Sequence, residues 1–133
     1  MGQTALALPS INFITRDIIG AAVEVHRHLG PGLLESAYLR CLCDELGRRG
    51  IVFDHEVPVP LHYKGRQLDC GYRLDLLVAG RVIVELKTVD KLLAIHEAQL
   101  LSYLRLMRLP LGLLINFNVA KLTTGVSRIA NRL

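Results

Sequence analysis

The chain has 133 residues, 16 Lys and Arg against 12 Asp and Glu, a net charge of +4, 51% apolar residues and a mean hydropathy of +0.35. That length holds one domain with a substantial core, and so high an apolar fraction implies either that both faces of a sheet are covered or that some surface is buried in an oligomer; both are expected. Cys41, Cys43 and Cys70 are odd in number and wrongly spaced for a disulfide framework, a four-cysteine metal site or an iron–sulfur cluster, and the dispersed positive charge is compatible with nucleic acid without being diagnostic.

The opening MGQTALALPS lacks the basic and hydrophobic regions of a signal peptide, and Leu6 breaks the myristoylation pattern. From Ile11 to Leu29, apolar residues at 11, 14, 18, 22, 25 and 29 predict an amphipathic helix ended by Gly30-Pro31-Gly32. A second helix is expected from about Leu33 to Arg49, closed by Gly50. The period then changes to two. Ile51–Val57 and Val59–Tyr63 read as strands with a turn at Lys64-Gly65, and Gln67–Cys70 continues this pairing. Tyr72–Val78 and Val82–Thr88 form the clearest hairpin, a third helix runs from about Lys91 to Arg108, and Leu111–Phe117 is a buried strand. The uncharged run from Leu109 to Phe117 is too short to span a bilayer. A cytoplasmic protein with no membrane association is expected. The order describes a mixed sheet with helices packed on it, and residues after Phe117 are unassigned.

The strand VIVELKT is apolar until Glu85 and Lys87, which share one face while Val82, Val84 and Leu86 take the other. Its partner YRLDLLV carries its own carboxylate, Asp75. A two-residue loop at Ala79-Gly80 would pair Asp75 with Val84, leaving the two acids on opposite faces. A three-residue loop, 79–81, pairs Val78 with Val82 and sets Asp75 opposite Glu85; that loop is expected. Adjacent carboxylates repel and are costly to bury, and a divalent cation relieves both costs. Asp75, Glu85 and the carbonyl of residue 86 can hold Mg²⁺, with Lys87 placed to orient water or stabilise charge on a phosphate. The plainer alternative is a Glu85–Lys87 salt bridge on an exposed face, which leaves Asp75 unexplained. His96, Gln99 and Tyr103 form one stripe of the third helix, which is equally an ordinary solvated face. Glu35, in the first turn of the second helix, is favoured there by the helix dipole whatever its function.

Gly32-Leu33-Leu34-Glu35-Ser36-Ala37-Tyr38 fits G-x-x-E-x-x-Y. Together with IIGAAVEVHRHLGPGLLESAY, YRLDLLV, VIVELKTVDKL, HEAQLLSYL and LPLGLLINF, in that order over about residues 14–118, it resembles the GxxExxY family. That family resembles a RecB-like branch of the PD-(D/E)xK nuclease superfamily. The resemblance implies an α/β (α+β mixed), restriction-endonuclease-like core, a central mixed sheet flanked by helices on both faces, as a single domain over 1–133. It makes Asp75 the PD-motif aspartate (with Leu74 where Pro would stand) and Glu85 and Lys87 the E-x-K pair. Glu35 becomes the acid from an early helix, completing the metal site directly or through water. Gln99 and Tyr103 match the Q-x-x-x-Y that positions DNA, with His96 beside them. Tyr38 is the family tyrosine, open between packing and site roles; Glu24 and His26 also match, and His26 joins Tyr38 as a candidate second-layer residue.

The expected function is Mg²⁺- or Mn²⁺-dependent cleavage of phosphodiester bonds in nucleic acid, with DNA favoured. Catalysis is assigned to Asp75, Glu85, Lys87 and Glu35, and metal binding to Asp75, Glu85 and Glu35. The chain is expected to form a homo-oligomer, a dimer or larger. Two alternatives stand beside this: a non-catalytic nuclease-fold module that oligomerises or binds nucleic acid, and a hydrolase of smaller phosphate esters, which no phosphate-binding loop supports.

Overall fold

A computed structural model describes residues 9–132. Helix α1 (Ile11–Leu29) starts at Ser10, whose hydroxyl oxygen accepts from the Phe13 N–H at 3.1 Å. It ends at Gly30, whose φ of 68° turns the chain without the penalty a side chain would carry there. Helix α2 (Glu35–Arg48) follows at once. The next elements are β1 (Phe53–Pro58), β2 (Leu61–Tyr63), β3 (Arg66–Leu68), β4 (Arg73–Val78) and β5 (Val82–Lys87). Helix α3 (Ala94–Met107), β6 (Leu111–Asn116), a tight helical turn (Leu122–Gly125) and β7 (Val126–Ala130) complete the described chain.

The main sheet has the order β1-β4-β5-β6-β7; β5 and β6 are parallel and the other neighbours antiparallel. A parallel pair needs a crossover, and α3 supplies it. One sheet face, with Leu76, Val78, Val82, Val84, Leu86, Leu113 and Ile115, packs on Ile14, Ile18, Val25, Tyr38, Leu42 and Leu46 of α1 and α2. The other, with Ile83 and Leu114, packs on Leu100, Tyr103 and Leu104 of α3. This is the expected mixed α/β sheet covered on both faces. Each fully buried Leu or Ile contributes about 1.5–3 kcal/mol. Gly112 lets α3 approach closely, because a Cβ there would come within 2.8 Å of the Leu100 side chain.

Three differences from the sequence expectation have local causes. Val59 and Pro60 leave the second strand: Pro60 has no N–H to donate, and the Val59 N–H instead donates to the Tyr72 carbonyl at 2.9 Å. The short β2–β3 hairpin therefore forms a two-stranded sheet of its own. Helix α3 begins at Ala94 rather than Lys91, since the preceding loop is held by Asn116. Strand β7 lay in the unassigned tail; it is an edge strand with an irregular burial pattern. Arg128 ties it to α1 through Thr15 Oγ1 (3.0 Å) and Asn12 Oδ1 (2.5 Å).

The strands roll over at one row. Leu76 and Val78 pack toward α1 and α2, but Leu74, of the same parity, packs with the α3 cluster. Phe53 and Val57 of β1 divide in the same way. Between the pairs His55↔Leu76 and Val57↔Leu74 stand Glu56 and Asp75, and Glu56 has a left-handed φ of 52°. Such a conformation in a non-glycine strand residue is strained and re-aims its neighbours as a bulge does. Glu56→Gly should therefore match or exceed the parent in stability, by up to about 1 kcal/mol, whereas Glu56→Val should cost about 1–3 kcal/mol. Chemical denaturation of the two variants checks this.

Candidate active site

The turn after β4 is the three-residue one, Ala79 to Arg81, with Ala79 at φ 54° and Gly80 at φ 64°. Val78 pairs with Val82, Leu77 with Ile83 and Leu76 with Val84. The next row is Asp75 and Glu85, and there the regular ladder ends. The carboxylates take over the backbone groups: Glu85 Oε1 accepts from the Asp75 N–H at 3.1 Å, and Asp75 Oδ2 accepts from the Leu86 N–H at 2.8 Å. Each acid is thus fixed by the other's strand. Side chains replace rungs, and the two carboxyl groups face one another between β4 and β5.

Glu85 is only 8% exposed. Burial, then the Asp75 carboxylate, push its pKa up to about 8, against the opposing pull of Lys87. Burial also raises Asp75, while the Leu86 N–H and Lys87 oppose the rise. Near neutrality the two carboxyls therefore hold a proton that free carboxylates would have lost.

Glu35 is the first residue of α2, exposed, with no side-chain cap before it. Partial burial and Asp75 raise its pKa and Lys87 lowers it, so these three charges act on one another. Lys87 ends β5 half-buried, and among the described residues it makes no ion pair. The simple Glu85–Lys87 salt bridge is absent there. Gln99 Nε2 donates to Tyr103 Oη at 3.1 Å, and burial followed by the Glu85 charge raises the Tyr103 pKa, keeping its hydroxyl protonated. Gln99 and Tyr103 thus stand together beside the acids. One ring nitrogen of His96 caps α3: its Nδ1 accepts from the Leu93 N–H at 3.0 Å.

Tyr38 and His26 support the site from behind. The Tyr38 hydroxyl donates to the Gly30 carbonyl at 2.5 Å and accepts from the Leu33 N–H at 3.1 Å, fixing the turn that delivers Glu35. Its fully buried ring stacks on Phe117 at 4.6 Å. His26 Nε2 meets the Val119 carbonyl at 2.8 Å, its ring tilted against Phe117. The Phe117 N–H in turn donates to the Lys87 carbonyl at 2.9 Å. Two residues escaped the sequence reading. Buried Asn116 bonds Val89 through both N–H and C=O (3.1 and 2.8 Å), holding the backbone just beyond Lys87; a polar residue ending an apolar strand was its only signal. Glu56, whose charge raises Asp75, left no signal, because nothing in a strand sequence announces a left-handed φ.

The donor set suits a hard cation. Asp75 and Glu85 offer carboxylate oxygens, and Mg²⁺ commonly takes one or two carboxylates and keeps several waters. Among the described residues no three His, Cys, Asp or Glu side chains gather into one cluster, so Glu35 stands outside the two-carboxylate core. The described residues also include no helix long and apolar enough to cross a membrane.

A five-stranded mixed sheet between helices, with an aspartate facing E-x-K across adjacent strands, defines a restriction-endonuclease-like nuclease fold. A family model described as PD-(D/E)XK nuclease superfamily matches residues 12–129, and the chain belongs to that superfamily. Searches of curated proteins and of solved structures each returned no match.

The raised carboxyls make stability fall with pH. A carboxyl whose folded pKa is raised from 4.5 to about 8 lets the folded state hold more protons than the unfolded state between those values. Metal-free protein should therefore lose stability as pH rises through that window. Asp75→Asn or Glu85→Gln should flatten the dependence and raise the melting temperature near pH 8, as thermal denaturation in EDTA would show.

Proposed function

We propose that this chain hydrolyses phosphodiester bonds in nucleic acid, with DNA the favoured substrate, when loaded with Mg²⁺ or Mn²⁺. The observation that carries this reading is the Asp75–Glu85 pair: a buried and a half-buried carboxyl held face to face, with Lys87 on the same strand and face as Glu85, in a chain of a nuclease superfamily. A divalent cation held by Asp75 and Glu85, with Glu35 joining through water, would polarise the phosphate and acidify a bound water.

The remaining roles belong to the chain itself. Lys87 offers an ammonium to orient the nucleophile and balance charge on the phosphate oxygens. Tyr103, kept neutral and aligned by Gln99, offers a hydroxyl donor to the substrate backbone. We read the chain as one GxxExxY domain over 1–133, in the RecB-like branch, working in the cytoplasm. Glu35 at the head of α2 and the Gln99–Tyr103 bond support that assignment. Self-association as a dimer or larger is supported by the exposure of Leu34 (77%), Val52 (75%) and Ile95 (69%).

Purified protein should cleave nucleic acid with Mg²⁺ or Mn²⁺ and stop in EDTA. Asp75→Ala and Lys87→Ala should each lower the rate by about 100-fold or more. Single-stranded DNA, duplex DNA and RNA should be compared side by side. Cleavage that survives both substitutions would remove the mechanism. Salt-sensitive binding without cleavage, indifferent to both, would identify a non-catalytic binding module instead.

A further inference from the structure

Tyr72 is not among the residues assigned above. It immediately precedes β4, 43% exposed, with its ring centroid 6.0 Å from that of Tyr103 and tilted by 58°. Tyr103 is the aromatic that feels the Glu85 and Asp75 charges, so Tyr72 forms the outer half of an aromatic pair beside the carboxyls. Three residues of near-extended chain, about 10 Å, separate Tyr72 from Asp75.

Its backbone is held from several sides. The Tyr72 carbonyl accepts from the Val59 N–H at 2.9 Å and from Arg73 Nη1 at 3.0 Å. The Asp69 carboxylate accepts from the Gly71 N–H at 2.9 Å, and Gly71 has a φ of 81° that suits glycine. Tyr72 is thus held at its backbone while its ring keeps open surface, and it is followed by an exposed arginine whose guanidinium lies 3.7 Å from the Asp69 carboxylate. Tyr38, Tyr103 and Phe117 are buried, whereas Tyr72, like Phe13 and Tyr63, keeps open surface, and of these three Tyr72 is the one whose ring pairs with Tyr103. Core packing does not require Tyr72 to stand in solvent at this spot. Interleaved aromatic and basic side chains beside a phosphate-handling centre are the pattern that grips unpaired nucleotides, because every base offers a π-face.

We propose that Tyr72 is a stacking platform for an unpaired base next to the scissile phosphate, and that the substrate is therefore single-stranded at this point: a free strand, a flap or a frayed end. This rests on the nuclease reading and narrows its substrate class. A base in the interior of a duplex keeps both faces inside the stack, so only a terminal or unpaired base can use the platform.

The test measures binding by fluorescence anisotropy, with Ca²⁺ replacing Mg²⁺, to a short labelled single strand, the same strand carrying abasic positions, and a blunt duplex. The wild type should favour the intact single strand. Tyr72→Ala should weaken that binding about ten-fold or more and leave affinity for the abasic strand unchanged. Tyr72→Phe should restore it, since stacking needs the ring and not the hydroxyl. Equal losses on intact and abasic strands, or a Phe variant as weak as Ala, would overturn the proposal. Wild-type binding and cleavage untouched by Tyr72→Ala would overturn it while leaving the nuclease reading intact; no nucleic-acid binding or cleavage by the wild type would remove both.

Discussion

Two carboxyl groups facing each other across adjacent strands set the terms for this structure. Asp75 and Glu85 occupy the row where the β4–β5 ladder stops, and each takes a backbone N–H that would otherwise lack a partner in the sheet. A buried polar N–H left unpaired is costly, so the carboxyls make the break in the ladder tolerable. The break in turn keeps them together. Their mutual repulsion remains, and burial strengthens it. A proton or a cation held between them would relieve that repulsion.

The rest of the fold keeps that row in place. Glu56, left-handed, rolls β1 over beside Asp75. Asn116 and the Phe117 N–H hold the backbone around Lys87, while Tyr38 and His26 anchor Phe117 and the turn that delivers Glu35. These contacts bind the α1–α2 layer to the end of β5, so three elements far apart in sequence converge with little freedom. The strain at Glu56 and the carboxyl pair both oppose stability at the one place where chemistry is proposed. The apolar contacts of the two sheet faces offset it.

Much of this was legible in the residues. Apolar positions three and four apart marked α1 with both ends correct, and a shared face for Asp75 and Glu85, ten residues apart, called for an odd-length turn, which is the three-residue one observed. Motif order pointed to the superfamily that the family model matches over residues 12–129. What stayed hidden depends on tertiary context. Edge strand β7 has no clean alternation, Val59–Pro60 looks like strand until the missing Pro60 donor matters, and the cap that His96 Nδ1 gives α3 does not show in the polar stripe of that helix. Of the long-range links, the one from Asn116 to Val89 shows only as a polar residue ending an apolar strand, and the one from Phe117 to Lys87 has no local signature.

The central claim is that one proton and one divalent cation compete for the same two carboxyls. Calorimetric titration of Mn²⁺ at pH 7 in buffers of different ionisation enthalpy reads this directly, by counting protons released per ion bound. A raised carboxyl pair predicts release approaching about one proton, lost together with most of the affinity in Asp75→Asn. Binding without proton release, or binding that Asp75→Asn leaves unchanged, would contradict it.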